Sequence, residues 1–289
     1  MASTFLIIGA AGKTGRSTAE TLLGRGHQVR ALVRQEDERS EALARQGAEI
    51  VVGDVQDIES ISAAARGIDA LYFTYPIAPG LIDATANVAQ AADENGVKAI
   101  VNMSQISARR DSESDAARHH WVAERVLDRF PVPATHLRPT FFGSWLVDTW
   151  ADGTGELRLP FGEGRHAPIA ETDQAAVIAA ILENPAPHAG KVYSLYGPVE
   201  RDHYGIAAEM SRALGREVTY VPIDLDDFTK ILEGRGAPAH LVQHLRAVAI
   251  DYRNGVFAGT NGLVKEIGGV DPLDVYDFVT ANKASFVTN

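Results

Sequence analysis

The strongest constraint on the fold lies at the start of the chain. Thr4 to Gly9 reads as a short apolar strand that runs straight into Gly9-Ala10-Ala11-Gly12-Lys13-Thr14-Gly15, and an amphipathic helix begins near Lys13. Glycines spaced in this way between a strand and a helix permit a tight turn, a close approach of backbone to a pyrophosphate, and close packing of helix on strand. The unpaired amides and the positive dipole end of that helix are suited to an anion. The expected ligand is a dinucleotide. Gly12-Lys13-Thr14 also resembles the end of a triphosphate-binding loop, but the glycine required five positions before its last glycine is replaced by Ile7, inside the strand.

Further strands are predicted at Gln28–Arg34, Glu49–Asp54, Ala70–Tyr75, Ala99–Ser104 and Ala134–Pro139. Helices are predicted between them at residues 13–24, 36–46, 58–65, 80–95 and 116–129. The strands are almost continuously apolar rather than alternating, which implies burial on both faces. The expected class is α/β, a Rossmann-type doubly wound parallel sheet with a smaller C-terminal α/β substrate domain. The division is drawn at residues 1–150 and 151–289, across the turn-rich Gly153-Thr154-Gly155 and Pro160 to Gly164. About residues 170–196 are expected to return to the first core, with Thr172-Asp173 capping a helix over Gln174–Leu182 and a strand at Lys191–Leu195. Later helices are expected at residues 206–214, 226–232 and 239–252.

A formal net charge of -11 disfavours nucleic acid and anionic membrane surfaces, and the absence of cysteine excludes thiolate metal sites, disulfides and cysteine nucleophiles. No apolar run reaches the ~20 residues of a membrane span, and no signal peptide is evident at Met1. A soluble cytoplasmic protein acting on a small molecule is expected, with a homodimer as the oligomeric form entertained.

Arg34 ends the second strand, where a domain preferring NAD usually carries an acidic residue for the ribose hydroxyls; a cation there suits a 2′-phosphate. Arg34, aided by Lys13, therefore points to NADPH, the alternative being a surface arginine paired with Glu36 or Asp37. Asp54 is read either as a partner for the adenine amino group or as a helix cap.

The blocks Gly9 to Gly15, Ala31-Leu32-Val33-Arg34, Gly47 to Asp54, His120-Trp121-Val122-Ala123-Glu124 and Thr135-His136-Leu137-Arg138-Pro139 resemble the NmrA-like branch of atypical short-chain dehydrogenases/reductases. That branch includes quinone and triphenylmethane reductases and NADPH-sensing regulators. The resemblance implies that Thr74, Tyr75 and Pro76 lie beside the cofactor, and that Met103, Ser104, Pro139, Thr140, Phe141 and Phe142 line its nicotinamide end.

Ordinary short-chain dehydrogenases use a Tyr-x-x-x-Lys pair, and none of the eight tyrosines here has a lysine four residues later. The matching helix instead carries His120 and Glu124, one turn apart. With Ser104 they form the candidate catalytic set, the carboxylate orienting the imidazole and holding up its pKa. Trp145 and Trp150, with Phe142, are the candidate aromatic wall for a flat substrate. His240 and His244 have the spacing of a zinc helix but no glutamate follows the first histidine, so they read as a plain helix face; His119-His120 lacks a third ligand, and no metal is expected. The expected activity is NADPH-dependent hydride transfer to a quinone, enone, imine or dye. The alternatives are a non-catalytic NADPH sensor acting through protein contacts and an isomerase or lyase that retains its cofactor.

Overall fold

The computed structural model describes residues 2–150 and 154–286. Met1, Gly153 and the first residues of the expected second region lie outside the described residues. In chain order the elements are β1 (Thr4–Ile8), α1 (Lys13–Gly24), β2 (Gln28–Val33), α2 (Glu38–Arg45), β3 (Glu49–Val52), α3 (Ile58–Ala65), β4 (Ala70–Phe73), α4 (Leu81–Glu94), β5 (Ile100–Met103), α5 (Asp115–Leu127) and β6 (Ala134–Pro139). There follow α6 (Ser144–Thr149), β7 (Glu156–Leu159), β8 (Arg165–His166), α7 (Glu171–Glu183), β9 (Val192–Leu195), β10 (Arg201–Asp202) and α8 (His203–Leu214). The chain ends with β11 (Thr219–Pro222), α9 (Leu225–Gly234), α10 (Ala239–Arg253), α11 (Leu263–Gly268) and α12 (Val275–Ala281).

Seven parallel strands form one sheet in the order β3-β2-β1-β4-β5-β6-β9. This is a Rossmann-like doubly wound fold. Alternate side chains of β1 show why its strands are apolar throughout: Phe5 and Ile7 enter one buried cluster with Leu22, Val177 and Ile181, while Leu6 and Ile8 enter another with Ile61, Val88 and Leu127. Each fully buried side chain of this size contributes roughly 1.5–3 kcal/mol of transfer free energy. The chain reverses its winding between β1 and β4, and a crevice opens there at the carboxyl edge.

Gly9, Arg34, Asp54, Thr74 and Ser104 all lie just past the ends of their strands. Polar caps set the helix starts: Asp37 accepts from the Arg39 and Ser40 amides, Asp57 from Glu59, and Ser114 from Ala117. The expected cap at Thr172-Asp173 is not formed, because α7 starts earlier, behind Ala170. Asp173 lies inside its first turn and accepts from the Leu273 amide at 2.9 Å; burial, foremost, pushes its pKa up to about 6.

Beyond β6 a third buried cluster gathers around Leu157, Tyr220, Phe228, Val248, Tyr252 and Phe286. The short pairs β7–β11 and β8–β10 brace it. From it α10 reaches back onto α5: Gln243 Nε2 donates to the Glu113 carbonyl at 2.7 Å, and the Asp115 amide donates to Gln243 Oε1 at 3.0 Å. No helix among the described residues is long and apolar enough to cross a membrane.

Candidate functional site

The crevice at the carboxyl edge is a cavity of about 1300 Å³ that runs from the glycine turn to α10. Its floor begins at Gly9, whose φ of +79° is the left-handed conformation that favours glycine. A Cβ added to Gly15 would sit 2.3 Å from the Gly9 carbonyl oxygen, and one on Gly9 would meet Thr74 Cγ2 at 2.5 Å. Only a bare backbone closes this turn. Gly12 precedes α1, no side chain caps that helix, and no acidic residue stands in its first turn. The leading amides therefore face the cavity with their positive dipole end open to an anion.

Around the turn stand Arg34, Lys13, Asp54, Arg39 and Asp37. Among the described residues Arg34 has no hydrogen-bond or ion-pair partner. Of the two partners that the alternative reading offered it, Glu36 makes no hydrogen bond or ion pair with it, and Asp37 is taken by Arg39, whose Nε lies 2.9 Å from Asp37 Oδ2. Lys13 reaches across the mouth to Asp148 on α6 at 2.9 Å, with both side chains about half exposed, a pair that contributes little to stability. Asp54 does not cap α3, which Asp57 does; its Oδ1 accepts from the Gln56 amide at 2.9 Å. Tyr75 donates to the Pro79 carbonyl and, like Thr74 and Pro76, lines the cavity.

Farther in, Met103, Ser104, Pro139, Thr140, Phe141, Phe142 and Trp145 form the wall that β5 and β6 lead into. Phe141 stacks on Trp145 with ring centres 5.3 Å apart and on Phe257 at 4.8 Å. Three polar atoms of this wall, Gln105 Nε2, Thr140 Oγ1 and Trp145 Nε1, are buried without a hydrogen-bond partner among the described residues. Such atoms normally find a partner in a folded protein, so a ligand with polar edges fits here. The turn, Arg34 and these three atoms together suit a dinucleotide: pyrophosphate on the amides, a phosphorylated ribose at Arg34, and an amide-bearing ring between β5 and β6.

Several expected site residues lie elsewhere. Glu124 does not orient His120. It is wholly buried, accepts from Arg138 through Nε at 2.8 Å and Nη2 at 2.5 Å, and accepts from Ser104 Oγ at 2.6 Å. The bidentate guanidinium of β6 wins the carboxylate because it neutralises a buried charge, which a neutral imidazole does not. The expected lift of His120's pKa is therefore reversed: burial first, then the neighbouring imidazoles of His244 and His119, push it down to about 3. His120 lines the cavity as a neutral ring. Ser104 also lines it, with its proton directed to Glu124 and its lone pairs left over.

Trp150 is not a wall of the cavity. It caps the end of α6 on the far side, where Nε1 donates to the Phe286 carbonyl at 3.0 Å and Arg216 covers the ring. Ala10 points into the sheet core instead, fully buried. α10, whose His240 and His244 read as a helix face rather than a zinc helix, also lines the chamber, through Leu241, His244, Leu245 and Val248. Sequence reasoning missed these, and the apolar i, i+3, i+4, i+7 spacing that carries them is equally the spacing of any core-facing helix. Among the described residues no three His, Asp or Glu side chains gather as a metal site.

The fold and this crevice define a Rossmann-type nucleotide-binding α/β protein. The model of the NmrA-like family matches residues 1–269, and the chain belongs to that family. The NAD(P)H azoreductase of Xenophilus azovorans is 28% identical over 286 residues, 97% of this chain and 98% of that protein. The (4-alkanoyl-5-oxo-2,5-dihydrofuran-3-yl)methyl phosphate reductase of Streptomyces griseus is 30% identical over 270 residues, 91% and 92% of the two chains. Among solved structures, the NADPH-dependent quinone oxidoreductase of Escherichia coli, in complex with NADPH, superposes with a TM-score of 0.85 at 25% identity, covering 96% of this chain and 99% of that one.

Proposed function

We propose that this protein is an NADPH-dependent reductase of conjugated small molecules such as quinones and dyes. One observation carries the reading: a single cavity joins an open glycine-turn amide cradle, with Arg34, unpartnered among the described residues, beside it, to an apolar aromatic chamber large enough for a second molecule. The family relatives that bear names of NAD(P)H-dependent reductases support it. When bound, NADPH supplies the hydride.

The chain's own residues do the rest. Gly9 to Gly15 bind the pyrophosphate through backbone amides, and Arg34 engages the 2′-phosphate, with Lys13 and Arg39 adding positive potential. Thr74, Tyr75 and Pro76 flank the dinucleotide. Thr140 and Gln105 offer their unpartnered polar atoms to the ring amide. Phe141, Phe142 and Trp145 hold a flat acceptor face-on and keep water out. Ser104 cannot give up the proton it donates to Glu124, so it orients by accepting. His120, neutral, serves by donating a hydrogen bond rather than as a charged acid. Conjugated acceptors need no stronger acid, because delocalisation spreads the incoming charge.

The chamber on the acceptor side favours an enzyme over a sensor, since a sensor needs no second apolar compartment beside its cofactor. The test is direct. Purified protein with NADPH and a panel of quinones and azo dyes should show loss of the reduced-nicotinamide absorbance. Tight NADPH binding with no turnover on any acceptor would instead establish the sensor reading.

A further inference from the structure

We infer that His244 is a second hydrogen-bond donor of the acceptor chamber, that Ser114 fixes it in one tautomer, and that the chamber admits an uncharged conjugated acceptor bearing a carbonyl oxygen. The inference deepens the reductase reading and rests on it. Ser114 is wholly buried, and its Oγ already accepts from the Ala117 amide at 3.1 Å as the cap of α5. A buried hydroxyl must also place its proton. Among the described residues the acceptor within reach of Oγ is Nδ1 of His244, 2.7 Å away.

Nδ1 is therefore the unprotonated nitrogen and Nε2 carries the hydrogen. Nε2 has no partner among the described residues, while the ring lines the same cavity as His120 and lies close enough to it to help hold that imidazole's pKa down. The donor is held rigidly. Gln243 ties α10 to α5, and His240 stacks on His119 with ring centres 6.3 Å apart. Burial, chiefly, keeps His244 itself neutral, its pKa pushed down to about 4.

Charge is distributed unevenly along the cavity. Its charged lining residues are Lys13, Arg34, Asp37, Arg39, Asp54 and Asp148, all at the nucleotide end. The acceptor end, between Phe141, Trp145, Phe257 and α10, has two neutral imidazoles and no ion among its described lining residues. An anionic substituent there would lose its hydration without gaining a counterion. As the acceptor takes a hydride, its carbonyl electron pair moves to oxygen, the Nε2–H bond to that oxygen strengthens, and solvent supplies the proton that completes the hydroquinone.

The experiment uses the full chain with menadione and, as its charged counterpart, naphthoquinone sulfonate. Calorimetry without cofactor gives the quinone Kd, and NADPH oxidation gives kcat and KM. His244→Leu should weaken menadione about two- to tenfold in Kd, the value of one neutral hydrogen bond, and lower kcat by about tenfold more. His244→Gln, which retains an N–H donor, should recover most of both. Ser114→Ala should lower kcat in the wild type and add nothing in the His244→Leu background. The sulfonate should bind wild type about a hundredfold more weakly than menadione.

Equal Kd and kcat for wild type and His244→Leu would overturn the role of His244 while leaving the reductase intact. Menadione binding that depends on His244 without any NADPH consumption would overturn the reductase reading while upholding the contact. If the leucine variant fails to fold, the sulfonate comparison on wild type and the glutamine variant still decide. Sulfonate bound as tightly as menadione would overturn the uncharged chamber.

Discussion

Replacing Arg34 by alanine separates the two nicotinamide coenzymes in a way that follows from its surroundings. The guanidinium is exposed and has no partner among the described residues, so its removal orphans no buried group and should leave NADH binding nearly unchanged. Against a 2′-phosphate it makes a charge-assisted hydrogen bond, typically ~1.5–3 kcal/mol, and exposure places it at the low end. About 1.5 kcal/mol is roughly tenfold in Kd. Arg39 cannot replace it fully, because Asp37 already occupies its guanidinium at 2.9 Å. The Arg34→Ala, Arg39→Ala double variant should therefore bring NADPH down to the affinity of NADH. Calorimetric titration with both coenzymes at about 50 and 500 mM salt reads the effect, and the NADPH advantage should shrink as screening shortens the reach of the charge. Equal losses for NADPH and NADH on Arg34→Ala, or an advantage indifferent to salt, would refute the assigned role.

Three further outcomes are expected. Gly15→Ala should abolish measurable NADPH binding and lower the Tm, because the new methyl would lie 2.3 Å from the Gly9 carbonyl oxygen; Gly12→Ala, with 3.2 Å to the same atom, should be milder in both, as thermal shift and titration would show. Trp150→Phe should cost ~1–3 kcal/mol in chemical denaturation, through the lost bond to Phe286, without changing quinone affinity, whereas Trp145→Ala should weaken the quinone more than the fold. Folding should weaken as pH falls below 6.5. His120 and His203 have folded pKa values pushed down to about 3, so from about 6.5 downward the unfolded chain binds protons that the folded chain does not, and stability drains away until the folded values are reached. Each should forfeit about 2 kcal/mol between pH 6.5 and 5, and His203→Asn should flatten the slope of denaturation free energy against pH; an unchanged slope would contradict the burial of that ring.

The sheet was legible because its signals are local. Apolar strands of four to six residues, separated by helices of which α2, α3 and α5 start behind Asp or Ser, admit few arrangements besides a parallel doubly wound sheet, and the glycine turn marks which edge carries the ligand. The strand-end residues, Arg34, Thr74 and Ser104 among them, could be placed at the cavity for the same reason. Past β6 legibility fails. The two-residue strands β8 and β10 leave no periodic trace, and the start of α7 was misjudged because Asp173 answers to Leu273, a hundred residues away, rather than to its own helix.

What the amino-acid sequence determined alone is backbone chemistry: a turn that only glycine can make, a helix start without a side-chain cap, and an arginine rather than a carboxylate after β2. Partner choice was decided only by the tertiary structure. Glu124 stands one turn from His120, as the helical repeat requires, yet β6 brings Arg138 to it and takes the carboxylate. His244 lies 124 residues beyond His120, and α10 sets the two rings at one cavity wall. Spacing along a helix fixes which residues share a face, but a buried charge or hydroxyl goes to whichever group the packing of distant elements brings within hydrogen-bond reach.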